Sequence, residues 1–221
     1  MKSRGSSVCA LISGGLDSAI LLDRFLSHGR RVLPLYVRGG LRWEPAEVYW
    51  SRRLLAAMRC RNLLPLRLVD LPLQTLYGRH WSLTGRGIPD ARSRDAAVYL
   101  PGRNVLLSAA AAIVCAQERI PAIGLGILKG NPFGDATPAF FRQLAACLSD
   151  ALRYPLRIMT PFSGLSKSEL LRQRTAAPLA LTCSCLRPQG HRHCGRCNKC
   201  AERRRAFCEA GITDPTPYGS R

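Results

Sequence analysis

The feature that most constrains the fold is a five-residue apolar run, Val8-Cys9-Ala10-Leu11-Ile12, broken at once by Ser13-Gly14-Gly15-Leu16-Asp17-Ser18. A run so short and without polar alternation reads as a strand buried on both faces, as in a parallel sheet. After the break, Ile20, Leu21, Leu22, Phe25 and Leu26 recur at helical spacing, and Gly29 closes the segment. Strand, glycine turn and helix in succession gather backbone N–H groups and a helix N-terminus around one point, the arrangement that holds an anion. Ser13 and Ser18 offer hydroxyl donors there, and Asp17 can cap the helix or help hold Mg2+. The turn is not a Walker A motif, because no Gly-Lys-Ser/Thr follows, and it is not Gly-x-Gly-x-x-Gly. An ordinary capped turn is the plain alternative.

The pattern then alternates. Strands are predicted at 31–37, 63–71, 121–128 and 156–159, and helices at 44–58, 105–120, 137–152 and 167–174. Residues 73–99 are polar, rich in Arg and Gly, and read as a long loop with short helical pieces. Repeated β-α alternation argues an α/β fold with a doubly wound parallel sheet. The sheet domain is placed at 1–177 and a small metal-stapled lobe at 178–221.

That lobe is defined by Cys185, Cys194, Cys197 and Cys200. Cys194-Gly195-Arg196-Cys197 places two sulfurs on one tetrahedral ion, with Cys200 a turn further on and Cys185 returning from the preceding chain. A structural Zn2+ is the expected ion, since four protein ligands leave no open position. The Cys-x2-Cys-x2-Cys run also permits an iron–sulfur cluster. His191, His193, Cys183 and Cys208 are reserve ligands.

Lys+Arg 33 against Asp+Glu 14 gives a net charge of +19 over 221 residues. Such an excess attracts polyanions, although only four of the 33 are lysines, and an arginine-heavy count also follows from a GC-rich genome. No basic block is interleaved with aromatics, so charge by itself does not make a nucleic-acid interface. No apolar run reaches 18 residues, which argues against a membrane span. The Met1–Ser7 segment enters the first strand without a signal-peptide core, so the expected location is the cytoplasm.

The turn Ser13–Ser18 resembles the PP-loop of the ATP pyrophosphatase (adenine nucleotide α-hydrolase) superfamily. Further motifs are similar to one branch, the 7-cyano-7-deazaguanine synthases. They are Leu100-Pro101-Gly102-Arg103-Asn104, Thr160-Pro161-Phe162-Ser163-Gly164-Leu165-Ser166-Lys167, Thr182-Cys183-Ser184-Cys185, the Cys194–Cys200 run, Arg203 with Phe207, and Ile212 with Asp214. Arg42 and Glu47 resemble that branch's polar pair after the second strand. The motifs occur in family order from residue 8 to residue 216. Where the family has an acidic residue and then Ser-Gly-Tyr-Pro-Asp-Cys-Arg, this chain has Lys129, Gly130, Asn131, Pro132, Phe133, Gly134, Asp135, Ala136 and Thr137. Cys183 replaces the family's tryptophan.

The resemblance implies ATP-dependent conversion, with ammonia, of the carboxylate of a 7-deazaguanine acid to amide and nitrile. ATP would lie on Ile12, Ser13, Gly14, Gly15, Leu16, Asp17, Ser18, Ala19 and Arg103, with Mg2+ as its companion. Asp17, Lys129, Asp135 and Lys167 are the candidates around the reacting centre. Surface pairing or capping is the alternative for Arg103, Lys129, Asp135 and Lys167, and Asn104 is read as a helix cap. Homodimerisation is also implied. The changed 129–137 segment motivates a second possibility, in which an activated acid meets a different nucleophile. The charge motivates a third, a zinc-stabilised RNA-binding module.

Overall fold

The computed structural model describes residues 7–219; the Met1–Ser6 part of the N-terminal reading lies outside them. Five parallel strands form one sheet: β1 (Val8–Leu11), β2 (Val32–Arg38), β3 (Arg67–Asp70), β4 (Ala122–Gly124) and β5 (Arg157–Met159). Their order is β3-β2-β1-β4-β5. Between β1 and β4 the winding reverses, so the carboxyl ends of these two strands open a crevice, the ligand position of doubly wound sheets.

The helices are α1 (Leu16–Ser27), α2 (Glu44–Ala57), α3 (Gln74–Tyr77), α4 (Trp81–Thr84), α5 (Arg103–Glu118), α6 (Pro138–Leu152), α7 (Lys167–Arg172) and α8 (Asn198–Ala210). Strand alternation divides the core. Val8 and Ala10 face one side with Ile20, Leu21 and Phe25 of α1, Leu170 of α7 and Phe207 of α8. Cys9 and Leu11 face the other, against Ala111, Ala112 and Cys115 of α5 and Phe141 of α6. The alternation is therefore as expected, with β3 and β4 shorter than their apolar runs. No helix among the described residues is long and apolar enough to cross a membrane.

Two expectations need correction. The tail holds a 13-residue helix, α8, that the sequence pattern did not indicate. Its buried face is built from Cys200, Arg203, Ala206 and Phe207, so cysteine and arginine occupy positions where apolar residues would have signalled a helix. Asn104 is not the cap of α5. Gly102 occupies that position with φ +68, and a carboxylate from a distant loop does the capping, as described below.

Arg203 is 1% exposed and ties the tail together. Its guanidinium donates to Thr182 Oγ1 at 2.8 Å, to the Leu179 carbonyl at 3.1 Å and to Thr216 Oγ1, and it pairs with Asp214 at 3.4 Å. The Arg203 and Asp214 motif positions thus form a latch that closes the end of the chain onto the Thr182 segment. Arg203→Met is expected to lower stability by roughly 3 kcal/mol or more, because it leaves a carboxylate and two hydroxyls short of a partner. Denaturant unfolding measures this, and a loss under about 1 kcal/mol would contradict the latch.

Candidate functional site

The turn after β1 lies at the crevice. Ile12 extends the ladder, its N–H donating to the Leu35 carbonyl at 2.9 Å. Gly14 adopts φ +71, and a Cβ there would lie 2.8 Å from both the Glu47 carbonyl and Ser51 Oγ of α2. Its own carbonyl accepts from Cys183 N–H at 2.7 Å. A side chain is excluded at Gly14 on both grounds. Gly15 stands at the N-cap of α1 with no side-chain cap, which leaves the first N–H groups of the helix free of an internal acceptor. Leu16 and Ala19 are buried in the core, so only their backbone can reach a ligand. Ser18 Oγ donates to the Gly15 carbonyl at 3.0 Å. Of the two hydroxyls expected at the turn, Ser13 is the one that lines the cleft.

Two adjoining cavities fill the crevice. The first is lined by Ser13, Gly15, Asp17, Trp43, Glu47, Tyr99, Arg103, Asp135, Lys167 and Lys199, among others. The second shares Asp17, Lys167 and Lys199 and adds Lys129, Glu202 and Arg205. Six of the residues predicted for ATP or the reacting centre thus meet in the first cavity: Ser13, Gly15, Asp17, Arg103, Asp135 and Lys167. Lys129 is exposed at the rim of the second.

A chain of charges crosses the boundary. Lys167 Nζ lies 3.4 Å from Asp17 Oδ2 and 2.5 Å from Glu202 Oε1, and Lys199 Nζ lies 2.6 Å from Glu202 Oε2. Burial alone would pull Lys167 down, but the charges of Asp17 and Glu202 outweigh it and hold the ammonium above its usual range. Burial likewise opposes Glu202, yet Lys167 and Lys199 bring it down to about 2. Asp17 moves upward, because desolvation exceeds the help it receives from Lys167. Its Oδ1 is buried without a hydrogen-bond partner. An orphaned carboxylate oxygen beside a helix N-terminus without a side-chain cap is a donor that suits a hard divalent cation such as Mg2+.

Asp135 is buried and serves α5: its Oδ2 accepts from Asn104 N–H at 3.0 Å, and its carbonyl accepts from Asn104 Nδ2 at 3.0 Å. It thereby sets the first turn of α5 and the start of Arg103. Tyr99 and Phe133 stack at 4.7 Å and, with Trp43, give the cavity an aromatic wall. Glu47 is a second buried acid of this cavity, and its Oε2 accepts from Tyr36 Oη at 2.6 Å. Desolvation pushes its pKa up to about 7, against the pull of Arg103 and the Tyr36 bond. Arg42 does not accompany it; Arg42 is exposed and runs beside Gly85.

The ligand atoms of Cys185, Cys194, Cys197 and Cys200 all lie within 4.8 Å of one another. The Cys194–Cys200 and Cys185–Cys197 Sγ pairs are each 4.0 Å apart. Four thiolates around a tetrahedral ion stand about 3.8 Å apart, so the set fits a metal ion. Cys194 N–H points at Cys185 Sγ and Leu186 N–H at Cys197 Sγ, at 3.3 and 3.4 Å, as donors to thiolate sulfur do. Hydrogen bonds among the sulfurs push Cys185 up and pull Cys194 down, a conflict that a cation would remove by taking all four as thiolates. The reserve ligands stand apart from the set. His193 Nε2 accepts from Ser184 N–H, His191 stacks on Tyr49 at 3.8 Å, Cys208 is exposed, and Cys183 lines the cleft.

Residues 7–211 match the family model described as queuosine biosynthesis protein QueC. The chain belongs to the QueC family. It is 33% identical to a 7-cyano-7-deazaguanine synthase of Anaeromyxobacter dehalogenans, over 98% of this chain and 97% of that one. It is 34% identical to a protein of the same name from Methanoculleus marisnigri, over 96% and 98%. Among solved structures, a 4-thiouridine synthetase in an RNA complex with bound ATP superposes with a TM-score of 0.51 at 15% identity. That match covers 93% of this chain and 50% of the other, and it shows a common fold.

Within this QueC-family chain, sequence reasoning left out Lys199 and Glu202 and named Glu47 only as half of a pair. Glu202 lies three residues after Lys199 and one turn of α8 brings them together, so the helix had to be recognised first. Glu47 carries the measurable consequence. The fold favours its protonated form, so its contribution to stability is full below its ordinary value of 4.5 and is lost as pH rises through about 7. Glu47→Gln keeps an acceptor for Tyr36 and removes the titration. Its stability relative to wild type is expected to rise by on the order of 2–3 kcal/mol between about pH 5 and about pH 8. Thermal or denaturant unfolding across that range is the measurement, and a pH-independent difference would contradict it.

Proposed function

We propose that this chain is an ATP-dependent synthase that converts the carboxylate of 7-carboxy-7-deazaguanine, with ammonia, to the amide and then the nitrile. The observation that carries the reading is the Ser13–Ser18 turn at the switch point of the sheet, with Asp17 and Lys167 in the cleft it opens. Family membership and the names of the relatives support it.

In this mechanism the turn N–H groups and the α1 N-terminus receive the β- and γ-phosphates of ATP. Lys167 and Arg103 offset the charge that builds on them. Asp17 would hold Mg2+, which when bound supplies further charge neutralisation at the polyphosphate. The substrate carboxylate attacks the α-phosphorus and pyrophosphate leaves. The acyl adenylate is a good electrophile where the carboxylate was a poor one. Ammonia adds at the acyl carbon, and AMP and a proton depart to give the amide. In a second round the amide oxygen attacks another ATP and releases pyrophosphate. Loss of AMP and of both protons from nitrogen then forms the nitrile. Glu47, in the same cavity and titrating near neutrality, is the group we assign to accept protons. The aromatic wall of Trp43, Tyr99 and Phe133 suits a flat heterocycle. Cys185, Cys194, Cys197 and Cys200 would hold a structural Zn2+.

Incubation with ATP, Mg2+, ammonia and 7-carboxy-7-deazaguanine is expected to yield 7-cyano-7-deazaguanine by mass spectrometry. Asp17→Ala is expected to lower the rate at least about a hundredfold, as loss of a principal charge-stabilising group does. AMP without amide or nitrile would replace the ammonia step with another nucleophile. No nucleotide turnover together with steeply salt-dependent RNA binding would overturn the enzymatic reading.

A further inference from the structure

The nucleotide cleft is closed on one side by α8, the helix that begins within the four-cysteine set. Cys197 is its N-cap, and Cys200 lies in its first turn. Lys199, between them, lines both cavities of the crevice, in common with Asp17 and Lys167. The two lysines differ in what holds them. Lys167 is flanked by two carboxylates, Asp17 and Glu202, and its side chain is 15% exposed. Lys199 has Glu202 as its one carboxylate partner among the described residues, at 2.6 Å, and is 32% exposed. An ammonium has three donors, so Lys199 keeps donor capacity on the open side of the cleft.

The four charges Asp17, Glu202, Lys167 and Lys199 cancel. A polyphosphate entering this neutral group needs a cation that can turn to it without stranding a buried carboxylate. Moving Lys167 would leave Asp17 and Glu202 facing each other. Moving Lys199 leaves Glu202 still paired with Lys167 at 2.5 Å. Of the two lysines, Lys199 is therefore the one that can be redirected at little electrostatic cost, on a flexible four-carbon stem suited to that motion.

We propose that Lys199 is a polyphosphate-binding residue, so that the cysteine-held segment supplies part of the nucleotide site and does not only brace it. This rests on the reading of the cleft as an ATP site. It also links the two centres: the sulfurs that fix the first turn of α8 fix the base of the Lys199 side chain.

The test is calorimetric titration of the full-length, metal-loaded chain with a non-hydrolysable ATP analogue plus Mg2+, and separately with adenosine, for wild type, Lys199→Gln and Lys199→Arg. Metal content per chain is measured for each. Lys199→Gln is expected to weaken the analogue roughly ten- to a hundredfold, the range of one lost charge-assisted hydrogen bond. Its adenosine affinity and metal content are expected to match wild type, and Lys199→Arg is expected to recover most of the loss. An unchanged affinity for the analogue in Lys199→Gln overturns the proposal alone. An equal loss for adenosine also overturns it, because it marks a structural effect. A wild-type chain that binds neither ligand removes the ATP reading of the cleft, and this proposal with it.

Discussion

Gly14 is the point on which the rest of the site depends. Its positive φ turns the chain out of β1, and its bare Cα lets α2 approach until a Cβ would meet the Glu47 carbonyl and Ser51 Oγ at 2.8 Å. From the other side Cys183 N–H reaches its carbonyl at 2.7 Å. Three segments distant in sequence converge on one peptide because that peptide carries no side chain. The same closeness brings Glu47, Arg103, Lys167 and Lys199 within reach of one cavity. Sheet topology supplies the crevice, and the glycine supplies the room for its walls.

The cysteine segment is joined to that site in two ways. Backbone contact runs through Cys183 to Gly14, and charge runs from Glu202 of α8 through Lys167 to Asp17 in the first turn of α1. Arg203, one residue further, anchors α8 to Thr182 and Thr216, while Phe207 enters the core beneath β1. The four sulfurs lie in a cluster with Trp43, Val98 and Leu100, which wall the first cavity. Metal binding to such a set is coupled to the order of every element that touches it.

Much of the fold was legible in the sequence because its signals are local. Buried strands are short apolar runs, α1 has a clean helical period, and the cysteine spacing states its own geometry. The four cysteines come together as expected, since a Cys-x2-Cys knuckle needs no distant information. Long-range partners were not legible. Asp135 is a cleft residue, but its carboxylate is engaged with Asn104 31 positions away, a pairing that no sequence period encodes. Ser18 looked like a free hydroxyl and bonds instead to the Gly15 carbonyl three residues back, as serines in a first helical turn do. Helix α8 was missed because a buried arginine and a metal-ligand cysteine stand where leucines would have announced it.

We propose that in this QueC-family chain the Ser13–Ser18 turn grips the triphosphate of ATP while an acid is activated beside it. A crystal structure of this chain with a non-hydrolysable ATP analogue and Mg2+ tests that most directly. The expected result is density for the β- and γ-phosphates against the N–H groups of the turn, with the cation at Asp17. Nucleotide bound elsewhere, with the turn occupied by solvent, would contradict it.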